Sequence, residues 1–292
     1  MKVLITGAGG QAASELQKTA PKNMELICLE RRQLDITDQV AVTAALNTAR
    51  PELVINAAAY TAVDQAETEP ETAHAVNADG AGQLARAASA AGARFFHIST
   101  DFVFAGDQSF PYRETAPPAP LGVYGQSKLA GEKAARDATK DTALIVRTGW
   151  LYAAHGKNFV KTMLRLQTER PCLNVVCDQV GTPTWARTLA ETLWAAASRP
   201  ELRGVYHLSD AGVASWYDFA VAIQEEGLRL GLLETAVPIT PVTSSAYPTP
   251  ARRPAYSVLD KTAAWRDLGI SGRHWRTCLR EMLEELKTCA PC

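Results

Sequence analysis

The chain has 292 residues, 47% hydrophobic and 21% charged, which is an ordinary composition for a folded globular protein. Thirty basic and 31 acidic residues give a formal net charge of −1, so there is no excess of positive charge to bind nucleic acid or an anionic membrane. The length favours two domains, no apolar run reaches the roughly 18 residues that span a bilayer, and the amino terminus begins with a strand-like sequence instead of a signal peptide. We therefore expect a cytoplasmic protein with no nucleic acid or membrane partner.

The first half of the chain alternates short β-branched apolar runs with longer Ala-rich stretches. The runs predicted as strands are residues 3–6, 25–29, 53–56, 94–99 and 144–147. Continuous apolar runs suit strands that are covered on both faces, and alternation of strands with helices forces parallel pairing. The pattern predicts an α/β fold with a doubly wound parallel sheet in residues 1–150.

A glycine-rich turn follows the first predicted strand and precedes a predicted helix. In this position Gly7 would permit the sharp turn, and Gly10 would let the backbone approach a pyrophosphate at the amino terminus of the helix. Ala13 stands at the third glycine position, which serves the packing of helix on strand. The turn predicts an NAD(P)-binding domain of the Rossmann type, with an ordinary strand–helix turn as the alternative.

The second predicted strand ends at Glu30, Arg31 and Arg32, about twenty residues after the glycines. An acid at this place normally accepts hydrogen bonds from the adenosine ribose and favours NAD, whereas an arginine could pair with the 2′-phosphate of NADP. Both arginines could equally be solvated surface charges. We predict that both coenzymes work, with NADPH preferred over NADH.

Two later segments carry candidate catalytic groups. Thr100 follows the strand predicted at residues 94–99, at the sheet edge where open α/β folds bind ligands. Tyr124 and Lys128 are four residues apart, which places both side chains on one face of a helix. The lysine would lower the pKa of the phenol, so that Tyr124 could donate a proton to a carbonyl oxygen held by Thr100. We predict these three residues as catalytic, with a capped turn and a chance Tyr/Lys pair as the structural alternatives.

After residue 150 the pattern loosens. A connection that contains Pro and Gly occurs at residues 181–184, and a stretch rich in Pro, Ser and Thr at residues 237–254. Residues 204–209 again predict a strand, where the chain is expected to return to the sheet. We predict that residues 151–292 form mainly a smaller α/β substrate-binding domain. The six cysteines are scattered, which favours reduced thiols, and the Cys289/Cys292 pair is predicted to lie in a frayed tail without a redox or metal role.

Several motifs, in order, resemble those of the dTDP-4-dehydrorhamnose reductases, a family of extended short-chain dehydrogenase/reductases. The matching segments are residues 7–11, 56–64 with the following Glu67, 99–104, 124–132, 147–150, 181–184 and 247–254. The glycine and Tyr/Lys motifs are shared across the superfamily, whereas the segments at 56–64 and 147–150 are similar to this family specifically. The chain departs from the family at Tyr60, Phe102 and Gly149, which stand where histidine, tyrosine and serine or threonine are usual.

The resemblance implies reduction by NAD(P)H of the C4 keto group of dTDP-4-dehydro-L-rhamnose to dTDP-L-rhamnose, in nucleotide-sugar and cell-surface polysaccharide biosynthesis. It assigns to the coenzyme Gly10, Gln11 and Ala12 at the pyrophosphate, Asp35 and Ile36 near the adenine, Ala58, Ala59 and Tyr60 along the coenzyme, and Lys128 at the nicotinamide ribose. It assigns to the substrate Val63, Thr100, Asp101, Tyr124 and Trp150. Trp150 could alternatively be a core residue.

Three alternatives stay open. A nucleotide-sugar epimerase would share the coenzyme site, and a dehydratase would need more carboxylates than Asp101, which is followed by Phe102. A non-catalytic NAD(P)-sensing protein would use the same fold without the chemistry.

Some relatives dimerise through magnesium, and Glu15 resembles one ligand, but Arg187 falls near the place of another. We therefore predict no metal, and either a monomer or a homodimer.

Overall fold

The computed structural model describes residues 1–289, so the prediction for the Cys289/Cys292 pair lies outside the described residues. Within this range, one sheet contains the strands β1 (Lys2–Thr6), β2 (Glu25–Leu29), β3 (Leu53–Asn56), β4 (Arg94–Thr100), β5 (Leu144–Thr148) and β10 (Gly204–His207). All pairs in it are parallel, in the order β10-β5-β4-β3-β1-β2. The predicted parallel sheet is confirmed.

The strand order reverses between β1 and β3, because the chain builds outward from β1 first to one side and then to the other. Ligands of open α/β sheets bind outside the carboxyl ends of the strands at such a switch point. The glycine turn follows β1 and the Ala57–Ala59 run follows β3, so both flank this crevice.

The helices, in chain order, are α1 (Gln11–Lys18), α2 (Gln39–Ala49), α3 (Val63–Ala66), α4 (Pro70–His74), α5 (Ala81–Ala90), α6 (Val123–Thr139), α7 (Phe159–Glu169), α8 (Ala186–Ala197), α9 (Trp216–Leu230), α10 (Thr262–Leu268) and α11 (Trp275–Cys289). A π-helical turn at Ala75–Gly80 joins α4 to α5, and 3-10 turns lie at Asp101–Val103 and Ser244–Ala246. In the described range, no helix is both long enough and apolar enough to cross a membrane.

Successive side chains of β1 point to opposite faces of the sheet and pack in two separate cores. Val3 and Ile5 pack with apolar residues of α1, α8 and α10 on one face, whereas Leu4 packs with those of α2, α5 and α6 on the other. Burial on both faces explains why the strands are uninterrupted apolar runs. The doubly wound arrangement of helices follows from this alternation.

The remaining elements form a third core. Short strand pairs join β6 (Leu151–Tyr152) to β9 (Thr184–Trp185), β7 (Leu173–Val176) to β12 (Ile239–Val242), and β8 (Val180–Gly181) to β11 (Ala214–Ser215). Apolar side chains of α7, α9 and α11 pack around them. The chain rejoins the main sheet at β10, which pairs with β5. The division at residue 150 stays a prediction.

Candidate active site

The turn after β1 leaves an open helix amino terminus. Gly7 has a φ of +70°, and a Cβ there would lie 2.7 Å from Ala58 N, so only glycine fits against the Ala57–Ala58 backbone. No side chain in the described part of the chain caps α1, and a Cβ at Gly9 would meet nothing within 4 Å. Unpaired N–H groups facing open space are the arrangement that binds a pyrophosphate. The turn therefore fits a dinucleotide.

Gln11 and Ala12 occupy the first turn of α1. The Gln11 side-chain carbonyl accepts a hydrogen bond from Asn158 Nδ2 at 2.9 Å, which ties this helix to α7. The Ala12 methyl belongs to the core under α1. It is therefore the backbone N–H groups of these two residues, and not their side chains, that can meet a pyrophosphate.

Glu30, Arg31 and Arg32 follow β2 and carry charges of opposite sign, which favour different coenzymes. The side chains of Arg31 and Arg32 are 76% and 80% exposed. Arg32 Nε lies 2.9 Å from Glu30 Oε2, and Arg31 Nε lies 3.7 Å from Asp35 Oδ2. Such exposed pairs are weak, so both guanidinium groups can turn to an added phosphate.

Residues 35 and 36, predicted to lie near the adenine, are held in place by contacts with other residues of the protein. Thr37 donates backbone and side-chain hydrogen bonds to Asp35 Oδ1, which lowers the pKa of that carboxyl. Ile36 is buried, and its Cγ1 would lie 2.8 Å from a Cβ at Gly80. Ile36 is thus mainly a core residue, while Asp35 fixes the turn.

The loop after β3 is held by Asn77, which the sequence analysis missed. Asn77 lies in the π-helical turn, accepts from Tyr60 N at 2.8 Å, and donates from Nδ2 to Tyr60 O at 3.0 Å. The same Nδ2 lies 3.0 Å from Ser127 Oγ on α6. One buried amide therefore fixes the loop of Ala58, Ala59 and Tyr60 relative to the helix that carries Tyr124. An asparagine within a helical stretch was the available signal.

Thr100 ends β4, and its hydroxyl acts to lower the pKa of the Tyr124 phenol, against the larger effect of burial. The Thr100 hydroxyl also donates to Asp101 Oδ1 at 3.1 Å and accepts from Phe102 N at 3.2 Å. Tyr124 packs edge-on against the Phe102 ring, with the ring centroids 5.6 Å apart. The structure thus places the predicted phenol against the segment that directly follows Thr100, at the carboxyl edge of the sheet.

Tyr124 is the second residue of α6, so the start of this helix sets its position. The N-cap residue Gly122 has no side chain to cap the helix, but Glu67 Oε1 accepts from Val123 N at 2.9 Å. A Cβ at Gly122 would lie 2.5 Å from that oxygen. Glu67, noted only as part of a family motif, therefore caps the helix from 56 residues away.

Lys128 lies one turn further along α6 and is 2% exposed. Its Nζ donates to Ile98 O at 2.7 Å, which directs the ammonium to the end of β4. Burial lowers the pKa of Lys128 to about 8, against the opposing influence of the Glu132 carboxylate. Lys128 therefore titrates close to neutrality.

Glu132, one further turn along, anchors α6 to the sheet. Its carboxylate accepts from Arg147 Nε at 2.9 Å and Arg147 Nη2 at 2.7 Å, and from Ser99 Oγ at 2.5 Å. Both members of this ion pair are buried, and Arg147 also lies over the Phe104 ring. A bidentate buried pair of this kind fixes the geometry of β4, β5 and α6 around Lys128.

The effect of Lys128 on Tyr124 differs from the sequence expectation. Burial raises the pKa of Tyr124 to about 12, with the Asp101 carboxyl adding to the rise and Thr100 opposing it. Lys128 is not among the groups that shift it, because its ammonium bonds Ile98 O instead. The predicted lowering of the phenol pKa by Lys128 is therefore wrong for this structure.

Asp101 lies next to Thr100, but its side chain is buried. Its side chain is 2% exposed, and burial raises its pKa to about 6 against hydrogen bonds from Ser257 and Thr100. A Cβ at Gly149 would lie 2.5 Å from Asp101 Cγ, so the missing side chain at residue 149 makes the space for this carboxyl. A recess lined by Thr182, Ser209 and Ser257, among others, adjoins it.

Trp150 packs as a core residue, while its contact with the substrate stays a prediction. It has a φ of +51°, a conformation that costs a non-glycine residue roughly 1–2 kcal/mol. Its ring stacks on Trp216 with centroids 3.5 Å apart, and a Cβ at Gly181 would lie 2.5 Å from it. It is half-buried and packs on the third core. The Trp216 ring, which no sequence pattern indicated, holds Trp150 in this position.

Glu15 lies among cations instead of open oxygen ligands. It is fully buried, its Oε2 accepts from Arg187 Nε at 3.0 Å, and its Oε1 lies 3.3 Å from Lys18 Nζ. Arg187 and Lys18 also bind Glu285, at 2.6 and 2.8 Å. In residues 1–289 no group of three or more His, Cys, Asp or Glu is placed to hold a metal ion.

Comparisons with known proteins identify a family and a shared fold. The chain matches the family model described as RmlD substrate binding domain over residues 1–288. It is similar to the spore coat polysaccharide biosynthesis protein SpsK of Bacillus subtilis, at 45% identity over 97% of each chain. It is 43% identical to a dTDP-4-dehydrorhamnose reductase of Burkholderia thailandensis, over 98% of this chain and 100% of that protein. A solved dTDP-4-dehydrorhamnose reductase of Bacillus anthracis in complex with NADP has a TM-score of 0.92 and 37% identity, covering 97% of this chain and 99% of that one.

Proposed function

The chain belongs to the RmlD substrate binding domain family, and from that membership we propose that it reduces the C4 keto group of dTDP-4-dehydro-L-rhamnose with NADPH, giving dTDP-L-rhamnose. This reaction serves nucleotide-sugar and cell-surface polysaccharide biosynthesis. The relatives bearing the reductase name align over nearly their full length, so both the coenzyme half and the substrate half have counterparts here.

One observation carries the proposal at the level of residues. Thr100 ends β4, the Lys128 ammonium bonds Ile98 O of the same strand, and the Tyr124 ring packs on Phe102 just after it, beside the switch point of the sheet. Reduction of a ketone needs a proton donor and a group that polarises the carbonyl at one place. Tyr124 and Thr100 supply these two groups, while Lys128 is placed to hold the ribose of the coenzyme.

The chain's own groups have distinct tasks in this reaction. NADPH, when bound, supplies the hydride. Because the pKa of Tyr124 is about 12, the phenol is fully protonated at neutral pH and gives up its proton only as strongly basic alkoxide character develops on the substrate oxygen. Thr100 holds that oxygen, and Asp35, Ala58 and the α1 amino terminus position the coenzyme.

Two features support NADPH as the preferred coenzyme. Arg31 and Arg32 are exposed at the end of β2, where a guanidinium can pair with a 2′-phosphate. Glu30 keeps NADH as an alternative. Steady-state kinetics with both coenzymes test this preference, and equal efficiency or a strong preference for NADH would contradict it.

The function is tested with the purified keto-sugar. We expect stoichiometric oxidation of NADPH by dTDP-4-dehydro-L-rhamnose, with dTDP-L-rhamnose as the identified product. A panel of UDP- and GDP-linked keto-sugars serves as the comparison, and we expect slower turnover with them. A lack of NADPH oxidation with any of these substrates would refute the proposal.

The alternative is an epimerase or dehydratase, which regenerates its coenzyme in each cycle. Such an enzyme would convert the sugar without net NADPH oxidation, and a non-catalytic NAD(P)-sensing protein would do neither. The carboxylate of Asp101 is buried behind Thr100 and is followed by Phe102, an arrangement that favours reduction over elimination of water.

We further propose a cytoplasmic monomer or homodimer that binds no nucleic acid. The formal charge of −1 supports the last point, since nucleic acid affinity depends on neutralising phosphates. Light scattering at micromolar concentration tests the oligomeric state, and a tetramer or larger assembly would contradict it.

A further inference from the structure

The segment of residues 249–260, which we call the strap, joins parts of the fold that are far apart in the chain. Val180 N in β8 donates to Ala255 O at 2.8 Å. Tyr112 N, in the loop between β4 and α6, donates to Val258 O at 2.8 Å. The strap therefore bridges β8 and the loop that leads into α6.

The strap reaches α3 through Arg253. Arg253 Nη1 and Nη2 donate to Asp64 Oδ1 and Oδ2 at 2.9 and 2.8 Å, which lowers the pKa of that carboxyl. The same Nη1 donates to Thr249 Oγ1 at 2.6 Å, and Ala251 N donates to Asp64 Oδ1 at 3.2 Å. A guanidinium that binds both carboxylate oxygens fixes their orientation as well as their distance. The strap thus holds the Asp64 side chain in one orientation.

This ion pair contributes more to geometry than to stability. The side chains of Arg253 and Asp64 are 23% and 42% exposed, and a partly exposed pair stabilises a fold only slightly. The pair joins residues 189 positions apart in the chain, however. It therefore restricts how α3 and the strap lie relative to each other.

Helix α3 depends on such contacts, because it has only four residues and a helix this short is not stable by itself. Asp64 ties it to the strap, and Glu67, which directly follows α3, accepts from Val123 N at the start of α6. The strap also comes close to this start, since a Cβ at Gly122 would lie 2.5 Å from Glu67 Oε1 and 4.0 Å from Arg252 O. Helix α3 is therefore bound to the strap by one carboxylate and to α6 by another.

We propose that Arg253 is a positioning residue for Tyr124. Through Asp64 it fixes α3, and through Glu67 α3 fixes the first turn of α6, which carries Tyr124. The proposal rests on the proposed reductase function, in which the phenol must meet the substrate oxygen. Misplacing a reacting group by about 1 Å can lower a rate by about 10²-fold. Arg253 itself takes no part in the transfer of the proton or the hydride.

The coenzyme turn is held by other contacts. Gly7 packs on Ala58, and the loop that ends at Tyr60 is fixed by Asn77. Loss of Arg253 should therefore lower kcat and leave the affinity for NADPH unchanged. A general loss of stability would not separate these two quantities.

Hydrogen exchange of the full chain, measured without substrate, tests the contacts apart from activity. In Arg253→Ala we expect the Val123 amide to exchange faster by about fivefold or more, because its acceptor Glu67 is less firmly held. Arg252→Ala is the matched control, since Arg252 is exposed and its guanidinium forms no ion pair or hydrogen bond within residues 1–289. The control should exchange as the wild type does, and exchange in α1 should be the same in all three proteins.

Steady-state kinetics with dTDP-4-dehydro-L-rhamnose test the effect on Tyr124. We expect kcat of Arg253→Ala to fall by about tenfold, with the Kd for NADPH unchanged. Arg253→Lys keeps the charge but cannot bind both carboxylate oxygens, so it should recover only part of kcat. The double variant Arg253→Ala/Glu67→Ala should be no slower than Glu67→Ala alone, because both changes act on the same turn.

Two results would overturn the proposal. One is wild-type exchange at Val123 in both Arg253 variants, and the other is a double variant in which the kcat losses of Arg253→Ala and Glu67→Ala multiply. If Arg253→Ala does not fold, Arg253→Lys decides the question by the same two measurements. A wild type that does not oxidise NADPH would refute the reductase function instead, and the exchange of Val123 would still show whether the strap holds α6.

Discussion

Tyr124 shows how much the surroundings of one residue decide about its chemistry. Its spacing from Lys128 suggested a phenol with a lowered pKa, but desolvation and the nearby Asp101 raise that pKa to about 12. At neutral pH the side chain is therefore a fully protonated donor. It can donate its proton only when the substrate oxygen develops strongly basic alkoxide character.

Removing the phenolic hydroxyl tests this role. We expect Tyr124→Phe to lower kcat by about 10²–10⁴-fold, the usual contribution of general acid–base catalysis. Tyr206→Phe is the matched control, because the Tyr206 hydroxyl bonds Asp267 far along the chain from the site. Near-native turnover of Tyr124→Phe would remove the tyrosine from the mechanism.

Lys128 gives the reaction a pH dependence. Burial lowers its pKa to about 8, so the ammonium is present below this pH and is lost as the pH rises through it. If the charge holds the coenzyme, kcat/KM measured for the free enzyme should fall above about pH 8. In Lys128→Arg, whose guanidinium stays charged, this decline should disappear even if the rate is lower. A decline unchanged in Lys128→Arg would assign it to another group.

At the scale of elements, helix α6 brings most of the site together. Its amino terminus is capped by Glu67, its first turn carries Tyr124, its second Lys128, and its third Glu132. Gly125 lets this helix approach closely, since a Cβ there would lie 2.2 Å from Phe102 O. A single rigid element thus fixes the distances between proton donor, ammonium and buried ion pair.

The long-range cap of α6 can be tested directly. Glu67→Ala removes the acceptor for Val123 N and should lower the free energy of unfolding by about 1 kcal/mol, as loss of a helix cap does. Because Tyr124 lies in that turn, kcat should also fall. Glu67→Gln retains a carbonyl acceptor and should recover much of both quantities. Chemical denaturation and steady-state kinetics provide the measurements, and a Glu67→Ala protein equal to the wild type in both would exclude the cap.

At the scale of the whole molecule, one charge network joins distant parts of the chain. Arg187 on α8 and Lys18 on α1 are shared between Glu15 on α1 and Glu285 on α11. Glu15 is fully buried, and these two cations are its ion-pair partners within the network. The network connects α1 and α8 to α11, the last helix of the chain.

We expect Arg187→Ala to destabilise the protein by roughly 3 kcal/mol, because the fully buried Glu15 carboxylate is then left with the half-exposed Lys18 as its main cationic partner. Arg165→Ala breaks a pair on α7 whose members are 58% and 48% exposed, and should cost less than about 1 kcal/mol. Denaturant titrations compare the two variants. Equal losses of stability in the two variants would show that burial of Glu15 does not increase the cost of removing its partner.

The same network leads to a prediction about metal. The carboxylates of Glu15 and Glu285 already have cationic partners, so there is no net negative site to attract magnesium. Dialysis against EDTA should leave kcat and Tm unchanged. Stoichiometric magnesium in the purified protein, measured by inductively coupled plasma analysis, would contradict this.

The sequence by itself determined the parallel sheet, the glycine turn, the position of Thr100 at a strand end and the placement of Tyr124 and Lys128 on one helix. Each rests on local regularity, since apolar runs specify buried strands and a spacing of four residues specifies one helix face. The parallel order then brings every strand end to a single edge.

Only the tertiary structure decided the environment of those groups. Burial of Asp101 against Gly149, the cap from Glu67, the clamp by Asn77 and the stack of Trp150 on Trp216 all join residues far apart in sequence. Desolvation and hydrogen bonds depend on what surrounds a side chain in space, and these set the pKa values of Tyr124 and Lys128. Spacing along the chain does not contain that information.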